Sequence, residues 1–261
     1  MRWLDRLIHT PEPTVEDQMA AALAAAQRQD YAKALHLWES LARQGVARAQ
    51  NNIGACFAEG LGVPRDRMLA YRWLSAAAEA GDPVSQRNLA NLYFKGEGAP
   101  QDYKRAAALY RAAAEQGDPP AQDMLSWMLV EGEAVAADFA EARRWALAAA
   151  KQGVASSMTR LGMICHNALG VERDPVVAAY WWRRGAERGD PDGQAMLGAA
   201  CHLGAGLRRN PLEAYVWLLR ACSGHSPLAA RFLEAARAAL SPDEIVEAER
   251  RAAAPLPEPP P

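Results

Sequence analysis

The chain has 261 residues, 29 basic and 31 acidic, for a net charge of −2. Charges of both signs are interspersed, so no long-range field favours nucleic acid or an anionic membrane. The four cysteines, Cys56, Cys165, Cys201 and Cys222, lack CxxC spacing and are sparse for a disulfide scaffold, which fits a reducing compartment. Alanine, the strongest helix former, supplies 57 residues and predicts a chain that is nearly all helix and loop.

The first segment, MRWLDRLIHTPEPT, places Trp3, Leu4, Leu7 and Ile8 on one helical face but carries Asp5 and Arg6 among them. A secretory leader needs an apolar core of roughly 7–15 residues, and a membrane span needs about 20. Neither run is present, so residues 1–13 read as a tip and linker, and the expected setting is cytoplasmic with no membrane span. Residues 14–46 read as a degenerate first repeat. Val15–Gln29 supplies an alanine-rich helix, and DYAKALHLWESLARQG from Asp30 to Gly45 supplies a second.

From residue 47 to 226 one pattern is written five times at a spacing of 36. Ala49, Ser85, Ala121, Ser157 and Gly193 align, followed four residues on by Ile53, Leu89, Leu125, Leu161 and Leu197. A small residue comes next: Gly54, Ala90, Ser126, Gly162 or Gly198. Apolar positions at spacings of three and four mark one face of a helix of about 13 residues. Glycine at 60, 96, 132 and 204 can take positive φ where that helix stops. Asp66, Asp102, Asp138, Asp174 and Asn210 then precede a second helical run as N-caps. The second helix carries Ala70, Ala106, Ala142, Ala178 and Ala214, then Trp73, Leu109, Trp145, Trp181 and Trp217, and ends at Gly45 and its copies. Alanines let the helices approach, and the Trp column is expected to fill the remaining volume. A fixed period of 20–50 residues is the mark of a solenoid, in which each unit buries its apolar face against its neighbours. Residues 227–251 read as capping helices opened by Ser226-Pro227 and Ser241-Pro242, and 252–261 as a disordered Pro-rich tail.

These residues resemble the Sel-one-like repeat, a relative of the tetratricopeptide repeat. Its pattern is carried by Ala49, Ile53, Gly54, Phe57, Gly60, Gly62, Val63, Asp66, Ala70, Trp73, Ala77 and Gly81. Departures are Leu109 for Trp, Gly185 for Ala, Ala168 for Gly, and Cys165 and Cys201 where an aromatic is usual. The resemblance implies an all-α, right-handed α-solenoid of antiparallel helix pairs whose first helices line the concave face. It also implies a non-catalytic scaffold or adaptor that binds a protein or peptide partner there. By similarity to tetratricopeptide grooves, the third, seventh and tenth residues of each unit face the partner. These are Asn51, Ala55 and Ala58; Arg87, Asn91 and Phe94; Asp123, Trp127 and Val130; Thr159, Met163 and His166; and Ala195, Ala199 and His202. The candidate binding residues are Arg87, Asn91, Phe94, Asp123, Trp127, Val130, Met163, His166 and His202, because clustered aromatic, Met and Arg side chains favour interfaces.

No catalytic, cofactor or metal site is expected. Cys165-His166 and Cys201-His202 repeat in register, but helix neighbours point about 100° apart, so they read as two core cysteines and two groove histidines. Gly60-Leu61-Gly62 lacks the strand and third glycine of a dinucleotide loop. Some cysteine-rich relatives are linked to β-lactamase-like activity, a remote reading here because no Ser-x-x-Lys occurs. An alternative within the resemblance is an envelope-associated or secreted protein that binds peptidoglycan or a host factor. The expected oligomeric state is a monomer, with self-assembly through open solenoid ends as the other possibility.

Overall fold

The structure, a computed structural model, describes residues 13–256. The tip up to residue 12 and the tail from residue 257 lie outside the described residues. Among those described there are fourteen α-helices and no strand. They fall into two compact units, one ending at Gln116 and one starting at Gly117.

The first unit holds α1 (Val15–Gln27), α2 (Tyr31–Arg43), α3 (Ala47–Glu59), α4 (Arg67–Glu79), α5 (Pro83–Lys95) and α6 (Tyr103–Glu115). Each helix packs on the next, and α3 also meets α5. The second unit holds α7 (Pro119–Glu131), α8 (Phe139–Lys151), α9 (Ala155–His166), α10 (Pro175–Ala186), α11 (Pro191–Leu203) and α12 (Pro211–Ser223). It ends in α13 (Ala230–Arg237) and α14 (Pro242–Ala253), both packed on α12.

Caps explain the helix boundaries. Asp30, Asp66, Asp102, Asp138, Asp174 and Asn210 each accept from a first-turn amide of the following helix. Asp82, Asp118 and Asp190 do the same ahead of a proline in the first turn. Val46 and Val154 take the same place without a side-chain bond. The first helices of repeats one, two, three and five stop at glycines with φ of 70–75°. In repeat four Ala168 is forced to φ 56°, and α9 is 12 residues long where its sisters have 13.

The inward column of the second helices is not the Trp column. One residue further on, Trp38, Leu74, Tyr110, Ala146, Trp182 and Leu218 are all 4 % exposed or less. Of the Trp column, Trp145 is also buried, at 8 % exposed, while Trp73, Trp181 and Trp217 are half-buried. Adjacent helical positions diverge by about 100°, so only one of two neighbouring columns can face its own hairpin. That column presses on the small residue of the first helix. A Cβ on Gly54 would stand 2.8 Å from Leu74, and one on Gly198 would stand 2.8 Å from Leu218. Ser126 instead meets the thin Ala146 turn and donates to the Ala142 carbonyl at 2.8 Å.

Successive repeats are joined by backbone as well as side chains. The second loop glycine lies on the start of the preceding repeat's second helix. A Cβ on Gly98 would stand 2.2 Å from the Arg67 carbonyl oxygen, and one on Gly206 only 1.9 Å from that of Pro175. Gln116 donates to the Gly81 carbonyl and to Gln86, at 3.1 and 2.9 Å. Gln152 repeats this on Gly117 and Gln122, at 3.2 and 3.0 Å.

Candidate protein-binding surface

In the first unit Arg87, Asn91 and Phe94 follow one another along α5 at spacings of four and three, which puts them on one side of the helix. All three are half-buried. Asn91 accepts from the Tyr110 hydroxyl at 2.5 Å. Burial pushes the Tyr110 phenol well above its ordinary range, against the opposing charge of Arg87, so it remains a donor. Phe94 meets Tyr103 edge-on with ring centroids 5.3 Å apart. Asn88 donates to Asn51 at 2.9 Å, tying α5 to α3. Beside this tie a pocket of about 250 Å³ is lined by Ala55, Ala58 and Glu59 of α3 and by Asn88, Asn91 and Lys95 of α5. The expected residues Ala55, Ala58 and Asn91 therefore share one hollow. Asn88 belongs to it too, although it lies off the three-seven-ten series and only its amide chemistry, repeated at Asn51, Asn52 and Asn91, could have marked it.

In the second unit Asp123 of α7 is engaged by α9. It accepts from Ser156 at 2.9 Å, from Ser157 at 2.5 Å and from Arg160 at 2.5 Å. The Asp123 and Arg160 side chains are only 16 % and 12 % exposed, so this ion pair is a structural tie between neighbouring repeats. Trp127 and Val130 of α7 and Met163 of α9 are half-buried. His166 closes α9 with its ring 5.2 Å from that of Trp182, and His202 lies 6.4 Å from the Phe232 ring. Within the same three-seven-ten series, Asn51, Thr159, Ala195 and Ala199 are buried. The series is thus divided: Asn51, Thr159 and Ala195 at its third position are buried, while Arg87, Asp123 and every seventh and tenth position except Ala199 are half-buried.

Cys56, Cys165 and Cys201 are buried. Burial raises all three thiols, and Cys201 is pushed up to about 11. A thiol held in its protonated form is a poor nucleophile and a poor metal ligand at neutral pH. Among the described residues no group of three or more His, Cys, Asp or Glu stands close enough to hold a metal ion. No helix among them is long and apolar enough to cross a membrane.

A family model described as Sel1 repeat matches residues 24–46, 47–82, 83–118, 119–154, 155–190 and 191–226. The chain belongs to the Sel1 repeat family. The match finds a sixth repeat in 24–46, where α2 is preceded by only part of α1. Among solved structures, a Sel1 repeat protein from Oxalobacter formigenes is similar over 90 % of this chain and 98 % of its own, with 28 % identity and a TM-score of 0.77. A Sel1 repeat protein from Klebsiella pneumoniae is 22 % identical over 77 % of this chain and 97 % of its own, with a TM-score of 0.49. No curated protein matches the chain. Sel1 repeats are commonly protein-interaction scaffolds and are generally non-catalytic.

Proposed function

We propose that this Sel1 repeat chain is a non-catalytic scaffold that binds a protein or peptide partner along the first helices of its repeats. The observation that carries the reading is the hollow between α3 and α5. There, small side chains at Ala55 and Ala58 leave room, and Asn88, Asn91 and Lys95 offer donors beside it. Asparagine amides both donate and accept, which suits a peptide main chain. Within the second unit, the half-buried Trp127, Val130 and Met163 of the first helices would offer contacts of their own, and aromatic and Met side chains are favoured at interfaces. The proposed setting is cytoplasmic, with the protein as a monomer and without nucleic acid, metal or cofactor.

Affinity capture with mass spectrometry, run in parallel on the native chain and on Ala58→Arg, tests the reading. Ala58→Arg fills the hollow from a half-buried position. The expected outcome is a partner retained by the native chain and lost by the variant, with the helical circular dichroism and Tm of the two alike. Retention of the same partners by a folded Ala58→Arg would sink it, and Asn91→Ala serves as a milder second variant.

A further inference from the structure

The half-buried tryptophans of the second helices act alike, each packing on a core cluster that joins its own repeat to the preceding one. Trp73 packs on the cluster that holds Ala42 and Ile53. Trp181 packs on the cluster of Ala150 and Leu161, together with Leu147. Trp217 packs on the cluster that holds Ala186 and Leu197. Counted in steps of 36 residues, the matching address in the first unit is Ala78 and Leu89, with Ser75 in the place of Leu147. The residue that should cover it is Leu109.

There the address is open. Ser75, Ala78, Leu89 and Leu109 line a surface pocket of about 620 Å³, together with Tyr71 and Tyr93. One truncation, Leu109 in the place of Trp, leaves this place uncovered, the small Ser75 adds no bulk beside it, and three sister repeats show which kind of side chain closes it. We propose that this pocket receives an aromatic side chain, an indole or a phenol, presented by a partner protein. The polar wall fits such a group better than an aliphatic one. The Tyr71 and Tyr93 hydroxyls lie 2.9 Å apart, and Arg105 donates to Tyr93 at 3.3 Å. An indole N–H is best served by an acceptor, and the buried Trp145 has one, donating to Glu141 at 3.1 Å. The pocket lies among α4, α5 and α6 and shares no lining residue with the hollow between α3 and α5, so it stands apart from the scaffold reading given above.

The test is a methyl NMR titration of the full chain with N-acetyl-L-tryptophanamide, and separately with N-acetyl-L-leucinamide, watching the Ala78 and Leu89 methyls. The tryptophan amide should give saturable shifts there with a Kd in the millimolar range, about tenfold tighter than the leucine amide. Leu109→Trp should abolish the response and raise Tm by about 2–4 °C, since the chain then covers its own pocket. The proposal is overturned by an absence of saturable shifts at these methyls, by equal response to the two probes, or by a response that survives Leu109→Trp. Ser75→Leu narrows the same pocket from α4 and carries the comparison if Leu109→Trp does not fold.

Discussion

Gly162 lies beneath Trp182 so closely that a Cβ added to it would stand 2.4 Å from both Cδ1 and Nε1 of the indole. The ring is 3 % exposed and cannot swing outward without leaving the core. Gly162→Ala is therefore expected to destabilise the protein by about 1–3 kcal/mol, the ordinary cost of overpacking, read as a lower midpoint in urea denaturation. Ser126→Ala, opposite the small Ala146, should cost less, about 1 kcal/mol for the lost hydrogen bond to Ala142. If the two variants proved equally unstable, the pairing of small and large residues across each hairpin would be wrong. That pairing is hard to read in the sequence. Gly162 stands out as small and Trp182 as apolar, but nothing along the chain links two residues twenty positions apart, and the neighbouring Trp181 is the one that keeps the column. The same holds at the candidate surface. Asp123 stands at a groove position by count, yet its partners Ser156, Ser157 and Arg160 come from the next repeat and take up its carboxylate.

At the scale of the helix, the first helix of repeat four departs from the chain's own rules at both of its ends, the first of these departures being shared with Val46 ahead of α3. Val154 occupies an N-cap with no side-chain bond to offer the first turn of α9. Val154→Asp should stabilise by about 1 kcal/mol, because an aspartate there satisfies an exposed amide. At the far end of the same helix Ala168 holds φ 56°, a conformation that crowds its methyl against the following carbonyl. Ala168→Gly is expected to stabilise by about 0.5–1 kcal/mol, the relief being larger than the added freedom of the unfolded chain. Thermal unfolding of the single variants checks each, and a fall in Tm for either would show that α9 ends in some other way. Helix ends are the most legible part of the fold. Asp66, Asp102, Asp138, Asp174 and Asn210 act through backbone amides a few residues away, so the whole interaction is local and written in sequence order. The hollow between α3 and α5 is legible only in part. Ala55, Ala58 and Asn91 fall to counting, whereas Asn88 depends on how far α5 turns relative to α3.

Across the whole molecule, stability in each unit is close to a sum of hairpin contributions and contacts between neighbouring repeats. Buried thiols add a pH dependence to that sum. Burial holds Cys201 protonated up to about 11 in the fold, above the 9.0 of an exposed thiol. The folded state therefore keeps a proton that the unfolded chain releases, and the stability this contributes is complete below pH 9.0 and lost as pH rises through about 11. Cys56 and Cys165, raised by the same cause, act in the same direction. The denaturation midpoint should fall across that interval, and Cys201→Ala should make the fall shallower. A midpoint that stays level from pH 9 to pH 11 would contradict the assignment.

The glycines that rest on a neighbouring carbonyl bear on how such an array can change. Gly98 meets the main chain of Arg67, and Gly206 meets that of Pro175, so the fit at these joints is made with atoms that every residue carries. A joint of this kind is indifferent to its neighbour's side chains. Within either unit, a cassette of 36 residues could be copied or exchanged without rewriting the seam at its loop, provided that the glycine travels with it. Growth of the array by duplication then needs no matching second change, and the surface carried by each added cassette is free to diverge from the moment it arrives.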